Sequence, residues 1–409
     1  MMHPWFIFIE SNTTGTGQLF VRAARELGCR PVLLTLTPER YRYVAEENVE
    51  VVHASAQEPG ALLAAAGRLA ESAPIAGAFS SSEHFIEAAA DLARELNLPG
   101  PDPACIKLCR NKRAQRFALA GAGGLNPHFV AVRNATGLAE IAPSLRFPLV
   151  VKPVCGTGSV GVRLCVAPSD LMASGERLLK AGVNERGMAV PAEILVEEYL
   201  DGPEYSVELF DGQVVGVIQK HLSAAPFFIE VGHDCPARLD KRRRASVEEC
   251  ARRATALLGL DWGPVHVELR VPASGVPKII EVNPRLAGGF IPKLVRLASG
   301  IDLIRATIQR AMGDLPDLTR KSRLGASIRF LLASRTGVLA AIDGLDYASS
   351  LPGVCDTVVY RSIGERLSIH GDFRDRIGHV IATGPTANVA AGNAARAIAA
   401  VRPVVTEAS

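Results

Sequence analysis

Short apolar runs and amphipathic runs alternate through the first hundred residues, and this alternation limits the fold more than any other feature of the chain. Residues 6–10, 31–36, 49–53 and 75–79 read as strands, and residues 18–27, 60–71 and 83–96 as helices. Strands separated by helices predict a parallel sheet with helices on its faces. Asn97-Leu98-Pro99-Gly100-Pro101-Asp102-Pro103 then interrupts both periodicities, which places a domain boundary at residue 103. The first strand runs into Gly15-Thr16-Gly17, but Phe20 stands where a third glycine is needed and no acidic residue closes the second strand. A dinucleotide fingerprint needs both, so a tight strand-to-helix turn is the plainer reading.

At roughly 100–200 residues per domain, the 409 residues make about two to four domains. Lys plus Arg number 45 and Asp plus Glu 42, a net charge of +3, which excludes a charge-driven nucleic-acid binder. The basic cluster Lys241-Arg242-Arg243-Arg244 reads as the solvated start of a helix. No uninterrupted apolar stretch reaches the roughly 18 residues of a membrane span, and the first ten residues lack the basic lead of a secretory signal. The eight cysteines (29, 105, 109, 155, 165, 235, 250 and 355) form no metal-binding spacing, as expected of small core residues in a reducing cytoplasm. Small molecules, rather than nucleic acid or membrane, are the expected partners.

Beyond residue 103 the pattern changes. Residues 111–120 and 169–180 read as helices, 148–152 and 160–166 as strands. The loop between those strands, Pro153-Val154-Cys155-Gly156-Thr157-Gly158-Ser159, can lay backbone N–H groups against phosphates or simply close a hairpin. It is no Walker loop, because no Gly-Lys-Ser/Thr opens a helix after it. Residues 193–200 and 204–210 read as strands; in the second, Glu204, Ser206 and Glu208 alternate with Tyr205, Val207 and Leu209, as in a half-buried strand. Asp211-Gly212 turns it into a strand over 213–221. A helix over 245–259 precedes a second hairpin, 265–271 and 278–283. Residues 316–409 read as mixed strands and helices.

The second hairpin carries chemistry. Its loop is centred between Ser274 and Gly275, which sets Glu268 opposite Glu281 and His266 opposite Asn283. Opposed residues share a face, as do residues two apart. Glu268, Glu281, Asn283 and His266 therefore project together. Two carboxylates across a ladder repel, so a cation is expected between them. Two glutamates and an asparagine suit Mg²⁺ (or Mn²⁺) whose shell substrate phosphates complete.

The set Glu268, Glu281-Val282-Asn283-Pro284-Arg285-Leu286-Ala287-Gly288-Gly289 resembles the metal-binding core of the ATP-grasp carboxylate–amine ligases. The resemblance covers residues 1–315 and continues more loosely to the end. It implies an α/β chain (α+β in its central part) with three units. These are an N-terminal parallel α/β domain (1–103), a two-lobed ATP-grasp domain (104–315, lobes 104–190 and 191–315) and a C-terminal α/β domain packed behind (316–409). By resemblance, Lys112 and Lys152 bind the ATP phosphates and Gly156, Gly158 and Ser159 belong to the flexible loop over them. Glu197, Tyr199 and Leu200 form the hinge that reads adenine through backbone groups, and Glu204 takes the ribose hydroxyls. Glu268, Glu281 and Asn283 hold the metal. Residues 228–236 resemble a loop of the bacterial L-amino acid ligases, in which a Glu and a His three residues on face the amino-acid substrate; Glu230 and His233 match.

The resemblance implies ATP-dependent activation of a small carboxylic acid as an acylphosphate, then attack by an amine. Phosphoryl transfer needs positioning and charge neutralisation more than a protein nucleophile. Arg285 would grip the carboxylate and then the developing oxyanion, His233 would position the amine or take its proton, and Gly288 and Gly289 would leave room for the acid. A homodimer is compatible with this reading. Two alternatives stand beside it: a carboxylase of the biotin-carboxylase type, and a non-catalytic nucleotide-binding protein on the same scaffold.

Overall fold

The computed structural model describes residues 3–12, 16–58, 60–121 and 123–407; Gly15 of the first glycine turn lies outside them. The N-terminal unit contains β1 (Trp5–Ile9), α1 (Thr16–Glu26), β2 (Arg30–Leu34), α2 (Tyr43–Glu46), β3 (Glu50–Val52), α3 (Ala61–Ala70), β4 (Ile75–Phe79) and α4 (Ile86–Glu95). Its strands pair in parallel in the order β3-β2-β1-β4. The sheet changes its direction of growth between β1 and β4, the crevice where open α/β sheets bind ligands. Alternate residues of β1 feed opposite layers: Ile7 and Ile9 pack with Ala65 and Leu92, Phe6 and Phe8 with Phe20 and Ile308.

The proline-rich break starts a helix that the sequence reading missed. In α5 (Pro103–Arg110) the Asp102 carboxylate accepts from the Ala104 N–H, and Pro103 fills the first turn, where its missing N–H costs nothing. Asn111 likewise caps α6 (Lys112–Ala120). A small lobe follows: β5 (Phe129–Val132), α7 (Ala135–Ile141), β6 (Leu149–Pro153), β7 (Arg163–Cys165), α8 (Pro168–Leu179) and β8 (Ile194–Glu198), with antiparallel sheet order β5-β8-β6-β7. β7 is shorter than expected because residues 160–162 turn with the glycine loop; the Val160 and Val162 N–H groups donate to Thr157 and Ser159 carbonyls.

The rest is organised by one antiparallel sheet of eight strands, β13-β12-β9-β10-β11-β14-β18-β16. Its elements are β9 (Glu204–Phe210), β10 (Gln213–Leu222), β11 (Glu230–Cys235), α9 (Lys241–Leu257), β12 (Pro264–Arg270), β13 (Lys278–Asn283), α10 (Ile291–Ser299), α11 (Leu303–Ala311) and β14 (Gly325–Leu332). After them come β15 (Gly337–Asp343), α12 (Leu345–Ser350), β16 (Val354–Val359), β17 (Arg366–Leu367), β18 (Arg376–Gly384), α13 (Ala387–Ala400) and β19 (Arg402–Thr406). The order β17-β15-β19 makes a small third sheet.

Three expectations change. The C-terminal strands β14, β16 and β18 continue the large sheet edge-on, rather than packing behind it. The segment 228–236 is mostly strand β11, held extended by ladders to β10 and β14 on its two sides. And β9 is buried along its whole length, not half-buried. Tyr205, Val207 and Leu209 pack against Val247, Ala251 and Ala254 of α9, while Glu204, Ser206 and Glu208 face inward to charged partners. Burying a valine such as Val207 contributes roughly 1.5–3 kcal/mol, and the helix that covers this face leaves the opposite face free to carry charge. Lys241, Arg242 and Arg243 are exposed at the start of α9, behind the Asp240 cap, as the sequence suggests.

Candidate active site

A cavity of about 960 Å³ lies between the small lobe, the large sheet and the carboxyl edge of the N-terminal sheet. Its floor is the hairpin β12–β13. The ladder pairs Glu268 with Glu281 and His266 with Asn283, as the loop centre requires; the register slips only beyond Glu268, toward the turn. The two carboxylates do not repel unrelieved, because each has its own lysine. Lys112 Nζ lies 2.8 Å from Glu281 Oε1 and also donates to the Gly156 carbonyl at 2.9 Å. Lys220 Nζ lies 2.7 Å from Glu268, 2.9 Å from Glu204 and 2.8 Å from Glu230. The expected repulsion is therefore corrected: cations from α6 and β10 neutralise it in the protein alone.

His266 bridges the floor. Its Nδ1 is 2.8 Å from Glu208 and its Nε2 3.0 Å from Glu268. Burial alone would lower its pKa, but Glu208 and Glu268 outweigh burial and raise it to about 9. The ring is thus an imidazolium at neutral pH. The same balance governs Glu268 and Glu230: burial pushes each carboxyl up, and Lys220 with its neighbours holds each well below the usual carboxylate range.

On the roof, Lys152 Nζ is 2.6 Å from Glu197 Oε2, and Arg116 Nε is 2.7 Å from Glu197 Oε1. Burial would raise the Glu197 carboxyl, yet Arg116 and Lys152 hold it at about 2. Burial brings the Lys152 ammonium down to about 8 in spite of Glu197. Gly156, Gly158 and Ser159 follow with φ of 147°, 63° and 62°. A Cβ on Gly158 would lie 2.5 Å from the Phe373 ring, so the loop is closed against the C-terminal part. Tyr199 faces Phe228 with 6.4 Å between rings, and Arg270 spans both while donating to the Leu200 carbonyl and to Glu204 Oε2.

The structure brings the nominated residues to one cavity, with one departure. Lys112, Lys152, Gly156, Gly158, Ser159, Glu197, Tyr199, Leu200, Glu204, Glu230, Glu268, Glu281, Asn283, Arg285, Gly288 and Gly289 all line it. Arg285 is ion-paired to Glu83 from the N-terminal unit. His233 does not reach the cavity: it is wholly buried, its ring nitrogens have no hydrogen-bond partner, and burial lowers its pKa to about 3. The turn after Arg285 covers it, since a Cβ on Gly289 would lie 2.6 Å from His233 Nε2. Taking a proton from an amine in the cavity, the role expected of His233, is not open to a ring so placed. Gly289 has φ +59°, and its missing side chain makes room for this ring rather than for an acid; Gly288 faces open space.

Sequence reasoning missed Lys220, Arg116 and Arg376. The Arg376 guanidinium is 2.5 Å from Glu230. Lys220 was hidden by a bulge. From the Asp211-Gly212 turn, β9 and β10 pair in one register as far as Val214 with Leu209; past Val215 the register shifts and Lys220 falls opposite Glu204. Extending the turn's own register would have put Gln219 there. As for a metal, two carboxylates and an amide on one face fit a hard divalent cation. Among the described residues no group of three or more His, Cys, Asp and Glu is arranged to hold an ion, so Asn283 and substrate oxygens would have to complete the shell.

Three family models match the chain: an ATP-grasp N-terminal domain over residues 21–100, an ATP-grasp domain over 145–293, and an L-amino acid ligase C-terminal domain over 329–406. The chain belongs to the ATP-grasp family of carboxylate–amine ligases. It is 38% identical over 385 residues to a protein of Sinorhizobium fredii described as uncharacterized protein y4rH, covering 94% of this chain and 80% of that one. Human carnosine synthase 1 is 25% identical over 398 residues, 91% of this chain; the chain spans about half of that enzyme's length, 48%. The fold matches that of an L-amino acid ligase from Bacillus licheniformis with a TM-score of 0.83 over 100% of both chains, at 21% identity. No helix among the described residues is long and apolar enough to cross a membrane.

Proposed function

We propose that the protein joins a small carboxylic acid, an amino acid in the simplest case, to the amine of a second amino acid, forming a dipeptide or related amide with release of ADP and phosphate. In this reading residues 1–103, 104–315 and 316–409 act as three units around one cleft. One observation carries it: two opposed carboxylates, each held by a lysine, lie in the same cavity as Lys152, the glycine loop and Arg285.

A carboxylate is a poor acyl donor because its leaving group would be oxide. Transfer of the ATP γ-phosphoryl to it creates an acylphosphate whose leaving group is phosphate. Lys112 and Lys152 supply positive charge to the phosphates. The glycine loop, packed on Phe373, keeps water from the acylphosphate. Glu204 accepts from ribose hydroxyls and Glu197–Leu200 lie along the base. Glu268, Glu281 and Asn283 would hold Mg²⁺, which when bound neutralises charge on the transferring phosphoryl group. Arg285, already ordered by Glu83, offers a planar donor fork to the acid and to the oxyanion formed on amine attack. Glu230 offers a carboxylate to a substrate ammonium.

The test is ADP release measured over pairs drawn from the twenty common amino acids, with the product mass read in parallel. Release that needs two amino acids and matches amide formed mole for mole supports the reading. Release that needs bicarbonate and biotin, or no release at all, refutes it.

A further inference from the structure

The proposed reaction takes two protons from the attacking ammonium; the leaving phosphate can carry one, and the other has no destination. An amino acid arrives as its ammonium form, and attack on an acylphosphate requires that the nitrogen lose a proton. His233 is sealed away from the cavity and has no partner to pass a proton to.

A different set of residues is wired for the task. Tyr360 lines the cavity just past the end of β16, and its N–H is fixed to the Ile377 carbonyl of β18. The Tyr360 hydroxyl lies 2.6 Å from His379 Nδ1, and His379 Nε2 lies 3.1 Å from Asp356 Oδ2. The same Asp356 oxygen is ion-paired to Lys293 of α10. An ionised carboxylate only accepts, so His379 must carry its hydrogen on Nε2. In the neutral ring Nδ1 is then an acceptor, and the Tyr360 O–H donates to it. The lone pairs of the phenol oxygen remain for a donor in the cavity. Phe290 stacks on Tyr360 at 6.3 Å and lies 4.3 Å from the His379 ring, which is 1% exposed. This backing covers the His379 ring, while Tyr360 stays open to the cavity.

Resting on the ligase reading, we infer that Tyr360, His379 and Asp356 form the proton relay for the attacking amine. The amine nitrogen donates an N–H to the Tyr360 oxygen. That proton moves to the phenol oxygen while the phenol's own proton moves to His379 Nδ1, and the neutral nitrogen, its lone pair now free, attacks the carbonyl carbon. The N–C bond forms, the C–O bond to phosphate breaks with its electron pair going to phosphate, and the second nitrogen proton leaves with it as hydrogen phosphate. His379 ends as an imidazolium against Asp356 and later returns its proton to solvent or product. Burial raises the Tyr360 pKa above the ordinary phenol value, and Arg376 only partly opposes it. A free phenolate is therefore disfavoured and the two transfers are coupled. Asp356, held at about 2 by His379 and Lys293 in spite of burial, stays ionised throughout. The charged groups facing the relay are Asp356 on its own strand, Lys293 from α10, and Arg376 from β18, which Glu230 of β11 neutralises.

The experiment separates amine attack from acid activation. Wild type, Tyr360→Phe and Asp356→Asn are each offered the twenty common amino acids as acids. The nucleophile is either the same amino acids or hydroxylamine, which is unprotonated at neutral pH and needs no base. In Tyr360→Phe the amide rate is expected to fall about 100-fold while hydroxamate formation stays within about twofold of wild type. The amide defect should shrink as pH rises and the amine arrives deprotonated. Asp356→Asn, which can donate to Nε2 and so reverse the tautomer, should show the same split. Amide formation close to wild type in both variants, or an equal loss of hydroxamate, overturns the relay. A wild-type enzyme that makes no hydroxamate with any acid overturns the ligase reading, and the relay with it.

Discussion

His266 and His233 lie on the same sheet, on β12 and β11, and both are buried, yet they are opposites. His266 touches two carboxylates and is pushed up to about 9. His233 touches none closely, its nearest being Glu230 at 3.7 Å, and is pushed down to about 3. Burial is common to both, so partners decide the charge. The floor around His266 is already a lattice of paired charge, suited to a polyanion with its metal. Around His233 the partners are fewer: Phe330 backs the ring at 5.8 Å and neither ring nitrogen has a hydrogen-bond partner.

The sharpest way to break the contrast is Lys220→Met. It leaves Glu204, Glu230 and Glu268 without their shared cation, and breaking a buried ion pair by removing one partner costs about 3–5 kcal/mol. A melting temperature close to wild type would mean that the floor is wetter than its geometry indicates. Next is Gly289→Ala, which places a Cβ 2.6 Å from His233 Nε2 at a φ of +59°. A strained left-handed residue costs about 1–3 kcal/mol, and in denaturant titrations part of the loss should return in the double variant with His233→Ala. Purely additive effects would show that the two sites do not meet.

The smallest effect is on pH dependence, and the two rings pull in opposite senses. His266 is raised from 6.5 to about 9, so its contribution is complete below 6.5 and is lost as pH rises through about 9. His233 is lowered from 6.5 to about 3, so its contribution is complete above 6.5 and is lost as pH falls toward about 3. Chemical denaturation across this range should show His266→Gln flattening the alkaline limb and His233→Leu the acid limb. Identical pH profiles in both variants would remove the contrast.

What the sequence made legible was local. The loop centre of one hairpin sufficed to oppose Glu268 and Glu281, and short-range patterns located the parallel unit and the strand Glu204–Phe210. What it hid depended on distant segments. Lys220 took its place through a bulge at Val215. Arg116 reaches Glu197 from 81 residues away. The proposed relay joins Asp356 of β16 and Tyr360 just past its end to His379 of β18, with Lys293 paired to Asp356 from a helix far earlier in the chain. The burial of His233 follows from a turn 56 residues later, through a glycine whose lack of a side chain reads on sequence as open space.

We propose that, on binding, the Glu268–Glu281 face exchanges its lysines for a metal–nucleotide complex. The direct measurement is the melting temperature of wild type and Glu281→Gln with Mg²⁺, with ADP, and with both. Without ligand, Glu281→Gln should melt slightly lower than wild type, because Lys112 loses its carboxylate partner. In wild type, Mg²⁺ and ADP together should stabilise more than the sum of each alone; a ligand at one hundred times its dissociation constant contributes about 2.7 kcal/mol. In Glu281→Gln that excess should disappear. An excess of equal size in both proteins would contradict the assignment of the opposed glutamates to the metal.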